Sequence, residues 1–170
     1  MTIPPAPALT IRPENSGDIN AIRALTTAAF DRPDEAGTVD ALRESDSGIE
    51  GLSFVGVLDG EVIAHAMLSR CFAGEAPGVC LAPCSVLPKH QRTGAGTAVI
   101  EALLAEATRC GEAFAVVLGH PEYYPRFGFT PASGYGITLH IDVPDEALMA
   151  MPLAGEAPAG ALVFAPEFGV

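Results

Sequence analysis

The stretch that most limits the fold is Leu87 to Gly96, Leu-Pro-Lys-His-Gln-Arg-Thr-Gly-Ala-Gly, which joins an apolar run to an alanine-rich one through a short turn. Upstream, Val79 to Leu87 is rich in β-compatible residues and stops at Pro88. Downstream, Thr97 to Cys110 has no proline or glycine and ends before Gly111, a natural C-terminal cap. A strand, a crossover helix from Gly96 to Cys110 and a short buried strand at Phe114 to Leu118 then follow one another, and such a unit is right-handed and parallel. Its turn collects backbone N–H groups at the positive end of the helix dipole, an arrangement that favours a bound phosphate. Gly94 and Gly96 suit that use, because a missing Cβ lets the anion approach the backbone.

A Gly-x-Gly turn also serves as plain helix capping, so context decides. After Leu118 the chain reads Gly119-His120-Pro121-Glu122-Tyr123-Tyr124-Pro125-Arg126-Phe127-Gly128-Phe129. Gln91-x-x-Gly94-x-Gly96 resembles the acyl-CoA pyrophosphate loop of the GNAT superfamily of N-acetyltransferases, and Tyr124, four residues before Gly128-Phe129, matches the Tyr-x-x-x-Gly-Phe pattern of the same enzymes. The second motif is similar in particular to the YhbS-like branch. The resemblance runs from about Thr10 to the C-terminus and is sharpest over residues 79 to 130.

It implies the GNAT acyl-CoA N-acyltransferase fold. That fold is α/β of the α+β type, with a central mixed, mostly antiparallel twisted sheet, splayed fourth and fifth strands and flanking helices. It implies acetyl-CoA as acyl donor, with Cys84, Ser85 and Val86 meeting pantetheine or the acetyl carbonyl largely through their backbone. Gln91, Arg92, Thr93, Gly94, Ala95, Gly96 and Thr97 surround the pyrophosphate. Arg92-Thr93 departs from the family's common Gly-Arg or Gly-Lys, a side-chain change that leaves backbone donation intact. The acceptor amine, on a small molecule or a protein, attacks the thioester directly, a backbone N–H near Val86 steadies the oxyanion, and Tyr124 protonates the leaving thiolate. A phenol is protonated at neutral pH, so tyrosine suits that role without a large shift. Tyr123 reads as packing. Glu35 is the first candidate for the base, with His65 and His120 as rivals, and each has an ordinary structural alternative as well: first-turn carboxylate, strand histidine, helix cap. The family's asparagine after the fifth strand is absent, with Gly119-His120-Pro121 in its neighbourhood.

The formal charge of −12 repels nucleic-acid phosphates and permits a cationic substrate. Eighteen consecutive apolar residues never occur and Met1 to Pro13 lacks the features of a secretory signal, so a cytoplasmic protein with no membrane partner is expected. The four cysteines, Cys71, Cys80, Cys84 and Cys110, have no Cys-x-x-Cys pair and read as free, buried thiols with no metal role; on one strand Cys80 and Cys84 would share a face. Length fits one domain over residues 1–170, and a homodimer is compatible with it.

The remaining elements follow from pattern. Ala8 to Arg12 is a first strand; Ser16 caps a helix with Ile19, Ile22, Leu25 and Ala29 at helical spacing, stopping near Phe30; Asp34 and Glu35 open a second helix with Val39 and Leu42 inward. In the family these two helices border the acceptor pocket. Leu52 to Leu58 and Glu61 to Leu68 flank Asp59-Gly60 as a hairpin. Gly136 to Val143 and Ala147 to Leu153 are two further strands, and Ala161 to Phe164 a last short one.

Two other classes compete with the acetyltransferase. One is a domain of the same fold that binds acyl-CoA without turning it over, acting as a sensor or interaction module. The other is a dinucleotide-binding unit, disfavoured because the third glycine and the acidic residue ending the next strand are missing. No Gly-x-Ser-x-Gly supports a hydrolase.

Overall fold

The computed structural model describes residue 3 and residues 8–170. Strand β1 (Thr10–Pro13) leads into a tight 3-10 turn at Ser16–Asp18 and helix α1 (Ile19–Phe30). Here Asn15, rather than Ser16, makes the cap: its side chain accepts the Gly17 N–H at 2.9 Å while the Asp18 carboxylate accepts the Asn15 N–H at 2.8 Å. Asp18 is locked further by both terminal nitrogens of Arg12, at 2.6 and 3.0 Å. Helix α2 (Asp34–Glu44) follows, then β2 (Gly48–Leu58) and β3 (Glu61–Ala73). Asp59 and Gly60 turn the hairpin between them with φ of 51° and 78°, as two left-handed residues must in a two-residue hairpin loop.

Strand β4 (Ala76–Val86) runs back along β3, α3 (Ala95–Arg109) crosses over, and β5 (Phe114–Leu118) lies parallel to β4. The rest is β6 (Thr130–Pro131), β7 (Ile137–Thr138), β8 (Leu148–Pro152) and β9 (Gly160–Val163). The sheet order is β1-β2-β3-β4-β5-β8-β6, antiparallel except at β4–β5, with β9 on the far end of β3 and β7 parallel to β9. Of the strand expected over 136–143, only Ile137–Thr138 pairs: its partner β9 offers two positions there, Gly160 and Ala161.

Each sheet face is covered. Val99, Ile100 and Leu103 of α3 pack on Leu52, Phe54 and Leu68, while Ile22 of α1 and Val39 and Leu42 of α2 pack on Val55 and Met67 of the other face. Each fully buried leucine or isoleucine contributes about 1.5–3 kcal/mol by leaving water, which holds the helices against the sheet. A third cluster, with Phe114, Val116 and Leu148, fills the far end of β4 and β5.

Ladder registry decides where the site forms. Leu68 pairs with Leu81 and Ala66 with Cys84, so Ala82 and Pro83 together oppose Met67: β4 carries a bulge of one extra residue. Proline has no N–H to give a ladder, and a bulge is where a strand tolerates it. Since side chains alternate, the extra residue changes the face of everything after it. Cys80 therefore joins the Phe114 cluster and Cys84 the α3 side, so the two do not share a face as their spacing alone suggested. Cys110 is exposed rather than buried, and all four thiols are free.

Candidate active site

Two residue pairs, Val79 with Ala115 and Cys80 with Val116, are all that join β4 to β5. Beyond the bulge β4 keeps β3 as its neighbour and leaves β5, opening a cleft of about 530 Å3 lined by Ala82, Pro83, Cys84, Gly119, His120 and Tyr124, and across from them Phe30, Arg32, Asp34, Glu35 and Phe168. The polar backbone of this part of β4 points alternately to β3 and to the open edge. Leu87 donates its N–H to Ile63 O at 2.9 Å, so alternation turns Val86 to the edge, where its carbonyl takes the Gln91 side-chain amide at 3.2 Å. The side chain of Ser85 faces the opposite way, buried against α1, with its hydroxyl 3.2 Å from that of Thr26.

The loop after β4 is built by its own hydrogen bonds. Thr93 Oγ1 donates to His90 O at 2.5 Å, Arg92 takes a left-handed φ of 63°, and Gly94 caps α3 at a φ of 90° with nothing within 4 Å of where a Cβ would sit. Open space therefore adjoins the N-terminus of α3, beside exposed Arg92, Thr93 and Gly94. Ala95 is buried beneath it, and a Cβ on Gly96 would come within 3.1 Å of Val86 Cγ2.

Tyr124 opens a 3-10 turn, Tyr124–Phe127, and leans edge-on against Tyr123 and Phe129 at centroid distances of 5.1 and 6.1 Å. Burial pushes its hydroxyl pKa well above the phenol's ordinary range, and nearby Cys84 adds to this. Gly119 makes room for the ring, since a Cβ there would stand 2.5 Å from Tyr124 Cε2. A side chain at position 119 would collide with this placement of the Tyr124 ring. Cys84, partly exposed to the cleft, has its thiol pushed up to about 12 by burial and remains a neutral lining group.

The base candidates separate. Glu35 lines the cleft, but its carboxylate is bound to the Arg32 guanidinium, and that hydrogen bond lowers its pKa. His120 lines the cleft and is exposed. His65 is completely buried on the α1 and α2 face, its Nε2 2.7 Å from Ser53 Oγ and its pKa pushed down to about 3 by burial; it belongs to the core. Tyr123, read as packing, also puts its hydroxyl 2.9 Å from Thr97 Oγ1 in the first turn of α3. Phe30, Arg32, Pro83 and Phe168 were missed because only the fold brings them to the cleft. A second cleft, of about 420 Å3 near Glu14 and Ser53, has its one cation, Arg43, tied to Glu14 at 3.0 Å. Among the described residues no group of His, Cys, Asp and Glu could hold a metal ion, and no helix is long and apolar enough to cross a membrane.

Residues 19–129 match the acetyltransferase (GNAT) family. The chain is 33% identical over 137 residues to an uncharacterized N-acetyltransferase, YjhQ, of Escherichia coli (strain K12), covering 78% of this chain and 76% of that protein. Among solved structures, the GNAT family N-acetyltransferase YhbS of Escherichia coli, in complex with CoA, superposes with a TM-score of 0.92 at 27% identity, covering 100% of this chain and 97% of that one. A GNAT family acetyltransferase from Brucella melitensis, in complex with acetyl-CoA, gives a TM-score of 0.80 at 30% identity, over 95% of this chain and 98% of that one.

Proposed function

Because this chain belongs to the acetyltransferase (GNAT) family, whose acyl donor is acetyl-CoA, we propose that it moves the acetyl group to a primary amine by direct attack within the β4–β5 cleft. The observation that carries the reading is the parting of β4 from β5 after Cys80, with Tyr124 at the cleft wall beside Cys84 and the loop Gln91–Thr97 tied to the end of β4 through Gln91 and the Val86 carbonyl. Pantetheine lies along Cys84–Val86 and bonds to backbone groups that β5 leaves unpaired, as an added strand does. The pyrophosphate sits against the loop at the positive end of α3. One domain over residues 1–170 carries both halves of the reaction.

In the chemical step the amine nitrogen bonds to the thioester carbon, the oxyanion accepts from the Val86 N–H at the open strand edge, and the C–S bond then breaks. The raised pKa of Tyr124 keeps the hydroxyl protonated at neutral pH. It also makes complete transfer to a thiolate uphill, so Tyr124 shares its proton with the departing sulfur and water completes the protonation. Arg32 lowers the proton affinity of Glu35, so this carboxylate serves better to attract a cationic amine. His120, exposed in the same cleft, then takes the amine's proton. A non-catalytic acyl-CoA-binding module is the second reading, and the unpartnered hydroxyl of Tyr124 in the cleft argues against it.

Turnover on an amine panel tests both readings. Acetyl-CoA, but not NAD, should raise the melting temperature by mass action. Tyr124→Phe should lower kcat about a hundredfold with acetyl-CoA affinity nearly unchanged, the usual size of a general-acid loss. Full activity of Tyr124→Phe would remove the acid, and no amine-dependent release of CoA by the native protein would leave the binding module.

A further inference from the structure

The chain has nine lysines and arginines against twenty-one aspartates and glutamates, and among the described residues all but two of the nine are ion-paired to a carboxylate. The two left over are Arg92 and Arg126. In a molecule of formal charge −12, an unpaired cation is the scarce commodity; Arg92 precedes the first turn of α3, and Arg126 lies beside the middle of the same helix, in a groove with Glu101, Leu104 and Thr108. Arg92 is in the phosphate loop itself. Arg126 is held on the other side: its Nε donates to Tyr123 O at 2.8 Å, its guanidinium carbon lies 4.2 Å above the centre of the Tyr123 ring, and the Tyr123 hydroxyl is 2.9 Å from Thr97 Oγ1. Stacking and one hydrogen bond fix the plane of the guanidinium and leave its two terminal nitrogens without a protein acceptor among the described residues. Glu101 of α3 shares the same shallow groove without forming an ion pair with it.

We propose that Arg126, aimed by Tyr123, binds the ribose 3′-phosphate of the acyl donor. The inference rests on the donor site argued above. The loop already offers a pyrophosphate the backbone N–H groups of a helix N-terminus and the charge of Arg92, whereas Arg126 stands beyond the Tyr123 ring, outside that loop. The remaining phosphate of CoA is a monoester of charge about −2 at neutral pH, the anion that gains most from a guanidinium able to bond it with two parallel N–H groups. A surface so acidic repels that group everywhere else.

Titration calorimetry with CoA and with 3′-dephospho-CoA tests this on the full chain. The native protein should bind CoA about tenfold more tightly than 3′-dephospho-CoA, the size of one charge-assisted pair. Arg126→Gln should lose that tenfold for CoA and keep the native affinity for 3′-dephospho-CoA. Arg92→Gln should weaken both ligands alike. Tyr123→Leu, which removes the platform but not the charge, should lose most of the discrimination, and Arg126→Lys should restore only part of it. The melting temperature of unliganded Arg126→Gln should match the native value, since the side chain is exposed. Native affinity for CoA in Arg126→Gln, or equal losses for both ligands, would overturn the assignment while leaving the donor site standing. If the native protein binds neither ligand, the donor site itself is wrong.

Discussion

The two halves of β4 share one strand and one partner, yet they are built on opposite terms. From Val79 to Leu81 the strand is paired to β3 on one side, touches β5 on the other and is buried on both faces. From Cys84 to Val86 it keeps β3, loses β5, and its outer edge is answered by a single side chain, Gln91 on the Val86 carbonyl. The first half is held by packing on both edges and faces, and the second has an open edge. A bound acyl donor would supply there what β5 supplies below, so the cleft is sheet pairing withheld rather than a hole carved in a core.

If that division is right, substitutions in the two halves should separate stability from turnover. The largest effect is expected at Phe114, whose fully buried ring lies against Gly78 in the closed half. Phe114→Ala should cost about 3–5 kcal/mol in urea unfolding, through lost burial and the cavity left behind, with acetyl-CoA affinity of the folded variant little changed. A loss of affinity as large as the loss of stability would mean that the halves are not independent. Next comes Gly119→Ala in the open half, where the new methyl must displace the Tyr124 ring. Turnover should fall about tenfold or more with a nearly native melting temperature, because a small misplacement of a reacting group is costly. Native turnover would show that the position of the ring does not matter.

A graded effect, of about 1.4 kcal/mol for each pH unit, sharpens the contrast from behind. The open half rests on a buried polar layer, in which Ser85 meets Thr26 and its ladder partner His65 meets Ser53. His65 has a folded pKa near 3 against an ordinary 6.5, so below pH 6.5 the unfolded chain takes up a proton that the folded chain refuses. Stability must therefore fall as pH falls across that window, by about 1.4 kcal/mol per pH unit from this one group. His65→Gln should flatten the stability curve between pH 6.5 and about 4, as read by urea unfolding at several pH values. An unchanged slope would show that the imidazole is not buried neutral. Below that range Asp18 and Glu35, whose pKa values are lowered, lose their own contribution as they protonate.

What could be read in advance divides along the same line. Phe114–Leu118 has the bounds its apolar run suggests, and Asp59-Gly60 makes the hairpin it advertises, because local pattern determines both. Strand β3 runs on to Ala73, past the expected end at Leu68, since its ladder with β4 continues there and Phe72 and Ala73 also pair with Val163 and Leu162 of β9, about ninety positions away. No local window contains that partner. Likewise the second role of Tyr123 depends on distant Thr97, whereas Arg32 and Glu35, and Gly119 and Tyr124, are close in sequence and lacked only the geometry that joins them. Residue types were legible, but their partners were fixed only by folding.

The bulge at Ala82-Pro83 has a consequence for how this stretch can change over time. Because one residue's difference in length sets the parity of all that follows, deleting either position would turn Ser85 toward α3 and Cys84 toward α1. Thr26 would lose its partner, and the edge that holds Val86 would be presented by its neighbours. Replacing side chains along β4 alters the cleft by degrees, whereas changing its length by one abolishes it. Variation in this segment should consequently be rich in substitutions and free of single-residue insertions or deletions, and a library of each kind screened for acetyl transfer would show the two classes failing at very different rates.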